Sequence, residues 1–276
     1  MIDRYINIFT DFGFKKVFGE EANKDLLIDF LNELLKGQQT IKELHYKKTE
    51  HLGSSDVDRK AIFDLYCANE KGEKFIVEIQ KTKQKFFKDR SLYYSTFPII
   101  EQPELGDCNF ELKAVYTIAI LDFVFDDTEK EKTVVSHVQL MDTKKKNVFF
   151  PKLTFVYLQM PNFNKTVDEL ETQFDKWLFV LKNLHKLQNR PGKLQDRVFE
   201  KFFNSAEIAH FAPQEREAYE DSLKYYRDLK NSLDTANEEG KIEVAQKLIT
   251  MGFDDKKIAE ATGLSNDEIV GLRERR

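Results

Sequence analysis

Cysteine is scarce: the 276 residues contain two, Cys67 and Cys108. No CxxC spacing occurs, so neither a zinc motif nor a redox motif is supported. The five histidines form no HExxH pattern. No apolar run approaches the roughly 18 residues that a membrane span requires, so no transmembrane helix is expected. The opening MIDRYINIFT has neither a basic n-region nor an apolar h-region, and cytoplasmic location is the expectation. An excess of positive charge is also missing. The formal net charge of -5 counts mildly against a nucleic-acid partner. It does not exclude one, since a local basic groove suffices to bind phosphate and the acids of a metal site lower the total.

Phenylalanine is abundant, with 24 residues, and the hydrophobic content is 41%. That is enough for one sizeable, aromatic-rich core and an appended helical region. There is no internal repeat or low-complexity tract. Thr10 or Asp11 can cap a short helix through Phe18. A second helix carries Leu26, Leu27, Phe30, Leu31, Leu34 and Leu35 on one stripe, with Gly37 as its stop. Residues 41–52 are strand-like. Residues 61–67 and 75–80 read as strands joined by turn chemistry at Asn69-Glu70-Lys71-Gly72. A helix from about Gln84 to Ile100 follows, with Pro98 as a late kink or stop. Strands are expected over 112–123, 133–140 and 148–159, and the Lys144-Lys145-Lys146 run reads as a turn. From Val167 the pattern is helical, over roughly 167–187, 194–204, 214–235 and 238–250, and the last stretch holds two short helices. The expected division is an α/β domain over 1–160, a helical region over 161–250 and a helix-turn-helix-like tail over 251–276. The fold class is α/β, a mixed sheet flanked by helices and followed by an all-helical C-terminal region.

The chemistry concentrates in the hairpin. Alternate strand residues share a face, so Glu78 and Gln80 point together and Val77 and Ile79 point into the opposite layer. Asp64 shares its face with Ile62 and Tyr66. A three-residue loop with Gly72 in the left-handed position sets Asp64 directly opposite Glu78, with Cβ atoms roughly 5 Å apart. Two carboxylates that close on apolar strands repel and are costly to desolvate. A divalent cation offsets that cost: Mg²⁺ takes one or two carboxylates plus waters and phosphate oxygens. Acids in hairpins more often face solvent, and strand arithmetic alone does not overturn that reading.

At these residues the sequence resembles the PD-(D/E)XK nuclease family transposases, a recombination-promoting nuclease or transposase-like family of bacteria. The likeness covers roughly residues 5–125 and extends weakly into the tail. It is carried by Thr10-Asp11-Phe12-Gly13-Phe14-Lys15-Lys16-Val17-Phe18-Gly19, by Leu31-Asn32 with Leu34-Leu35, and by Phe63-Asp64 with Val77-Glu78-Ile79-Gln80. Phe87, Arg90, Tyr93 and Tyr94 in the next helix add to it. The resemblance implies a restriction-endonuclease-like fold. It implies a metal-dependent DNA endonuclease that hydrolyses phosphodiesters, tied to recombination or mobile elements. It further implies Asp64 and Glu78 as ligands of Mg²⁺ or Mn²⁺, with Asp64, Glu78 and Gln80 as the catalytic signature. Phe63 stands where the wider superfamily has proline, and Gln80 where it has lysine. A lysine stabilises developing charge or orients water; glutamine orients but carries no charge.

Around this signature, Asp11 is either a helix N-cap, the commoner use of such a residue, or a further acid at the edge of the site. Arg90, Lys81 and Lys83 are candidate phosphate contacts, although the lysine run that also includes Lys85 and Lys88 equally describes a solvated face. Tyr94, one turn after Arg90, reads as core packing. Asp122, Asp126 and Asp127 resemble ligands by composition only and read as a turn. In the tail, Gly263 supplies a turn, and Ser265 with Glu268 a capping box. Asn266, Asp267 and Glu268 would meet phosphate unfavourably, and Arg273, Arg275 and Arg276 come only at the end, so packing or homo-oligomerisation is preferred to base reading. Two functions follow: a Mg²⁺-dependent endonuclease acting on DNA, or a catalytically weak or inactive nuclease-fold protein that binds DNA or another protein.

Overall fold

The structure, a computed structural model, describes residues 3–51, 61–102, 111–125 and 132–274. The first helix, α1 (Asp11–Phe18), begins where Thr10 turns extended and its hydroxyl accepts the Gly13 N–H at 3.0 Å. Thr10 is therefore the cap, and Asp11 lies in the first turn with its side chain exposed. Helix α2 (Lys24–Leu34) buries the expected leucine stripe, and Gly37 adopts the left-handed conformation just beyond its end.

Strands β1 (Leu44–Tyr46), β4 (Leu65–Asn69), β5 (Lys74–Gln80), β6 (Val115–Leu121), β7 (Val135–Asp142) and β8 (Asn147–Gln159) form one sheet in the order β1-β4-β5-β6-β8-β7. Strands β5, β6 and β8 are parallel and the outer pairings antiparallel, so the sheet is mixed. Strands β4 and β6 are buried along their whole length, as strands covered on both faces must be. Strands β2 (Glu50–His51) and β3 (Ala61–Ile62) form a separate two-stranded piece.

Helix α3 (Phe87–Ile100) covers one face, where Phe87 packs with Val115, Ala119, Leu121, Leu153, Phe155 and Tyr157. Pro98 lies within α3 without ending it. Helices α1 and α2 pack with α4 (Gln173–Asn183) and α5 (Arg197–Ala206) around the single tryptophan. Trp177 contacts Phe18, Phe30, Phe199 and Phe202, and its indole N–H donates to Asp29 at 2.6 Å. Gly19, after α1, lies against Leu65, and a Cβ there would sit 2.8 Å from the Lys15 carbonyl.

The chain forms two compact units, Met1–Leu223 and Lys224–Arg276. The first runs past residue 160, because α4 and α5 share the tryptophan cluster with α1 and α2. Instead of two helices over 214–235 and 238–250, one helix, α6, runs from Pro213 to Thr250. Gly240 costs a helix about 1 kcal/mol relative to alanine, too little to break it when no proline follows. The second unit has its own core of Ala245, Ile249, Ile258 and Ile269, formed by the end of α6 with α7 (Asp255–Thr262) and α8 (Asn266–Glu274). Gly263 is left-handed, and Ser265 and Glu268 exchange the capping-box bonds. Arg273 is tied to Asp255 at 2.8 Å; Arg275 and Arg276 lie outside the described residues. Among the described residues no helix is long and apolar enough to cross a membrane. Cys67 is buried, and Cys108 lies outside the described residues.

Candidate active site

The turn sets the register. Gly72 has φ +77°, Gly72 N–H donates to the Asn69 carbonyl, and Asn69 Oδ1 accepts the N–H groups of Lys71 and Glu73, all at 3.0 Å. The loop is thus the three residues Glu70-Lys71-Gly72. Beyond it Tyr66 faces Ile76 and Leu65 faces Val77, where the paired register ends; from the bend that precedes it, the Asp64 charge acts on the Glu78 carboxyl. Along β5 the faces alternate. Phe75 stacks on Tyr116, with ring centroids 5.0 Å apart, while Ile76 joins Phe63 and Tyr66 beneath α3. Glu78 and Gln80 share the Ile76 face.

The expected continuous strand 61–67 is interrupted. It ends at Ile62, restarts at Leu65 and bends at Asp64. In an unbroken strand Phe63 and Tyr66 would point to opposite faces; here their rings pack at 5.5 Å in one cluster. Ile62, expected to face with Asp64 and Tyr66, is 60% exposed. The cause is a substitution of acceptors. The Asn69–Glu73 bond fixes which pairs exchange bonds, and by that alternation Ile79 N–H would donate to the carbonyl of Phe63. It donates instead to Asp64 Oδ2 at 2.8 Å, and Phe63 N–H goes to the Thr49 carbonyl.

Glu78 and Gln80 are 8% and 9% exposed, the deepest polar side chains of the hairpin's α3 face. Arg90 reaches both from α3. One Nη2 donates to Gln80 Oε1 and lies 3.9 Å from Glu78 Oε2, while Nη1 donates to Gln84 at 2.6 Å. The guanidinium also lies over the rings of Phe87 and Tyr94. Gln80 Nε2 donates to the Thr82 carbonyl at 2.9 Å. Burial, reinforced by the Asp64 charge and opposed by Arg90, pushes the Glu78 carboxyl up to about 8. Burial also raises Asp64, against the lowering effect of the Ile79 N–H.

Asp11 pairs with Lys15 at 2.9 Å and acts electrostatically on Asp64 and Lys81. Its cap role passes to Thr10, and it stands at the edge of the site. Burial holds the Lys81 ammonium below the usual lysine range, opposed by Asp11 and Asp64. Lys83 is exposed, Lys85 lies over Phe86, and Lys88 lies over Phe125, whereas Lys81 lies within the field of Asp11 and Asp64. Asp122 follows β6 and its N–H donates to the Gln80 carbonyl; Asp126 and Asp127 lie outside the described residues. Tyr94 packs edge-on against Phe63, as expected for a core residue. Burial and the nearby Glu78 charge raise its hydroxyl above the usual tyrosine range. Gln84 and Thr82, which brace Arg90 and Gln80, carried no signal, because polar loop residues are common.

Among the described residues no group of three or more His, Cys, Asp or Glu side chains gathers as a metal cluster. The candidate donors are Asp64 and Glu78, a pair within the one or two carboxylates that Mg²⁺ takes. Glu78 Oε1 and Arg90 Nε are buried without a hydrogen-bond partner, and such orphans carry a full desolvation penalty. A cation at Glu78 and a phosphate oxygen at Arg90 would remove both, so the residues fit a divalent ion. The family model for PD-(D/E)XK nuclease family transposases matches residues 8–236. No curated protein and no solved structure matches the chain.

Proposed function

The chain belongs to the PD-(D/E)XK nuclease family transposases, and from that premise we propose that it is a Mg²⁺-dependent DNA endonuclease, with Mn²⁺ as an alternative ion. The observation that carries the reading is the buried Glu78 carboxylate, with Oε1 unpartnered and acted on by the Asp64 charge. Asp64 and Glu78 would hold the cation, which when bound supplies charge neutralisation at the phosphodiester and an acidified water. Because the Glu78 carboxyl titrates near 8, ion binding must displace its proton, so loading strengthens as pH rises.

The remaining roles belong to side chains. Gln80 Oε1 keeps one lone pair after accepting from Arg90, and that lone pair orients the attacking water. Arg90 supplies the positive charge that Gln80 lacks, and its Nε–H is available to a phosphate oxygen. Lys81 adds a second cation at the rim, beside Asp11. The second unit, whose α8 opens with Asp267 and Glu268, is assigned to packing or self-association.

The test is cleavage of plasmid DNA with Mg²⁺, comparing the native chain with Asp64→Asn. Asparagine keeps an acceptor for the Ile79 N–H and removes the charge. Loss of cleavage with an unchanged fold supports the assignment. Equal cleavage by the variant, in protein free of contaminating nuclease, sinks it.

A further inference from the structure

Strand β8 begins at Asn147, but its pairing with β6 begins only at Leu153. Before that point β8 pairs with β7 alone, through Leu140–Phe150, Met141–Val148 and Asp142–Asn147. The two strands form a ribbon that projects beyond the neighbouring parallel strand. Phe150 anchors its base against the Phe155 and Tyr157 cluster. Phe149 has no cross-strand partner in this register and is 78% exposed, and Leu140, Met141 and Val148 are about half exposed. Bulges of this kind re-aim a side chain. At the tip Lys144, Lys145 and Lys146 are exposed. The Asp142 carboxylate is spent on the turn, accepting the N–H groups of Lys144 and Lys145 at 2.9 Å, and Lys146 closes it with φ 57°. Residues 140–150 thus carry three lysines and one acid in a chain of net charge -5.

We infer that this ribbon is a second contact to the duplex that the hairpin site cleaves, entering a groove about one helical turn from the scissile phosphate. The inference rests on the nuclease reading above. Charge complementarity selects phosphate. A two-stranded ribbon fits the roughly 12 Å width of the major groove, where apolar side chains meet thymine methyl groups. The distance agrees. Glu78 lies level with Ala119 and Tyr157 in the sheet register. From Tyr157 back to Asn147 is roughly 30 Å at about 3.3 Å per residue, with two strand spacings of about 4.8 Å across. One turn of B-DNA is about 34 Å, so site and tip can meet the same side of one duplex. Self-association fits less well: the bulges break the edge that a second copy would extend, and identical lysine tips repel.

The experiment measures binding of the full chain to a 30-base-pair duplex in EDTA, so that no cleavage intervenes. The variants are K144A/K145A/K146A and Phe149→Ser, with thermal melting as a control of folding. The triple variant should bind at least tenfold more weakly. Its salt dependence should flatten by about two to three in slope, at about 0.9 per phosphate contact. Phe149→Ser should weaken binding with the slope unchanged. Unchanged affinity and slope in folded variants would overturn the inference, as would absence of duplex binding by the native chain. Unchanged affinity with a loss of dimers in light scattering would reassign the ribbon to self-association. Because binding is read without metal, the two failures are distinguishable: a chain that binds through the ribbon yet cleaves nothing removes the cleavage and keeps the duplex contact.

Discussion

Arg90 and Gln80 form one unit. The guanidinium donates to Gln80 Oε1 while the amide nitrogen is held by the Thr82 carbonyl, so the glutamine is fixed in one orientation and faces a permanent positive charge. Arg90→Ala is therefore expected to lower the cleavage rate constant by roughly 10²-fold, the scale of losing one placed donor. KM should change less. Arg90→Lys should recover little, because an ammonium cannot bridge Gln80, Gln84 and Glu78 together. Steady-state kinetics on a supercoiled plasmid checks both.

The same contact reverses a simple expectation for Gln80→Lys. If glutamine merely stood in for lysine, that variant would retain or improve cleavage. With Arg90 against position 80, a second cation meets the first, and like charges in a buried site are unfavourable. Gln80→Lys should lose activity, and adding Arg90→Gln should restore part of it. A double-mutant cycle reads the coupling.

Glu78 supports a pH prediction for the metal-free chain. Its carboxyl is raised from 4.5 to about 8, so between those values the folded state holds a proton that the unfolded state has released. Stability then falls as pH rises through this window. In EDTA, Glu78→Gln should melt at least roughly 5 °C above the native chain at pH 8, a shift of more than 1 kcal/mol. The two should melt alike at pH 4.5. Calorimetry at both values decides, and an equal difference at the two would count against a buried, raised carboxyl.

The two acids should differ in stability. Asp64 Oδ2 holds the Ile79 N–H that the interrupted strand leaves over. Asp64→Ala strands that donor and should cost about 1–3 kcal/mol, whereas Asp64→Asn should cost little. Both should abolish metal-dependent cleavage. Chemical denaturation beside the plasmid assay separates the two effects.

Gly72 sits at φ +77° in the loop that sets the register. Gly72→Ala should cost about 1–2 kcal/mol from the left-handed conformation. No side chain of the site is touched, so cleavage should fall only as far as the folded fraction falls, measured on the same samples.

The strands, the helices over 11–18, 24–34 and 87–100, and the three-residue hairpin loop were legible in the sequence. Each is written locally, as alternation, an apolar stripe, a cap or a glycine turn. The break at Asp64 was not, because Ala61 to Cys67 reads as one apolar run and the competing acceptor for Ile79 belongs to a side chain. The continuity of α6 past Gly240 was hidden for a related reason. A glycine is a weak breaker whose small cost neighbouring turns override.

By itself, then, the sequence determined that Glu78 and Gln80 share a face and where the hairpin turns, since strand parity and loop length are properties of consecutive residues. Tertiary structure alone decided what surrounds them. It brought Arg90 from the next helix onto Gln80, buried Glu78 enough to raise its carboxyl, and freed the tip of β7 and β8 from the sheet. These depend on packing between segments distant in the chain, and on the desolvation that such packing imposes. No local pattern encodes either.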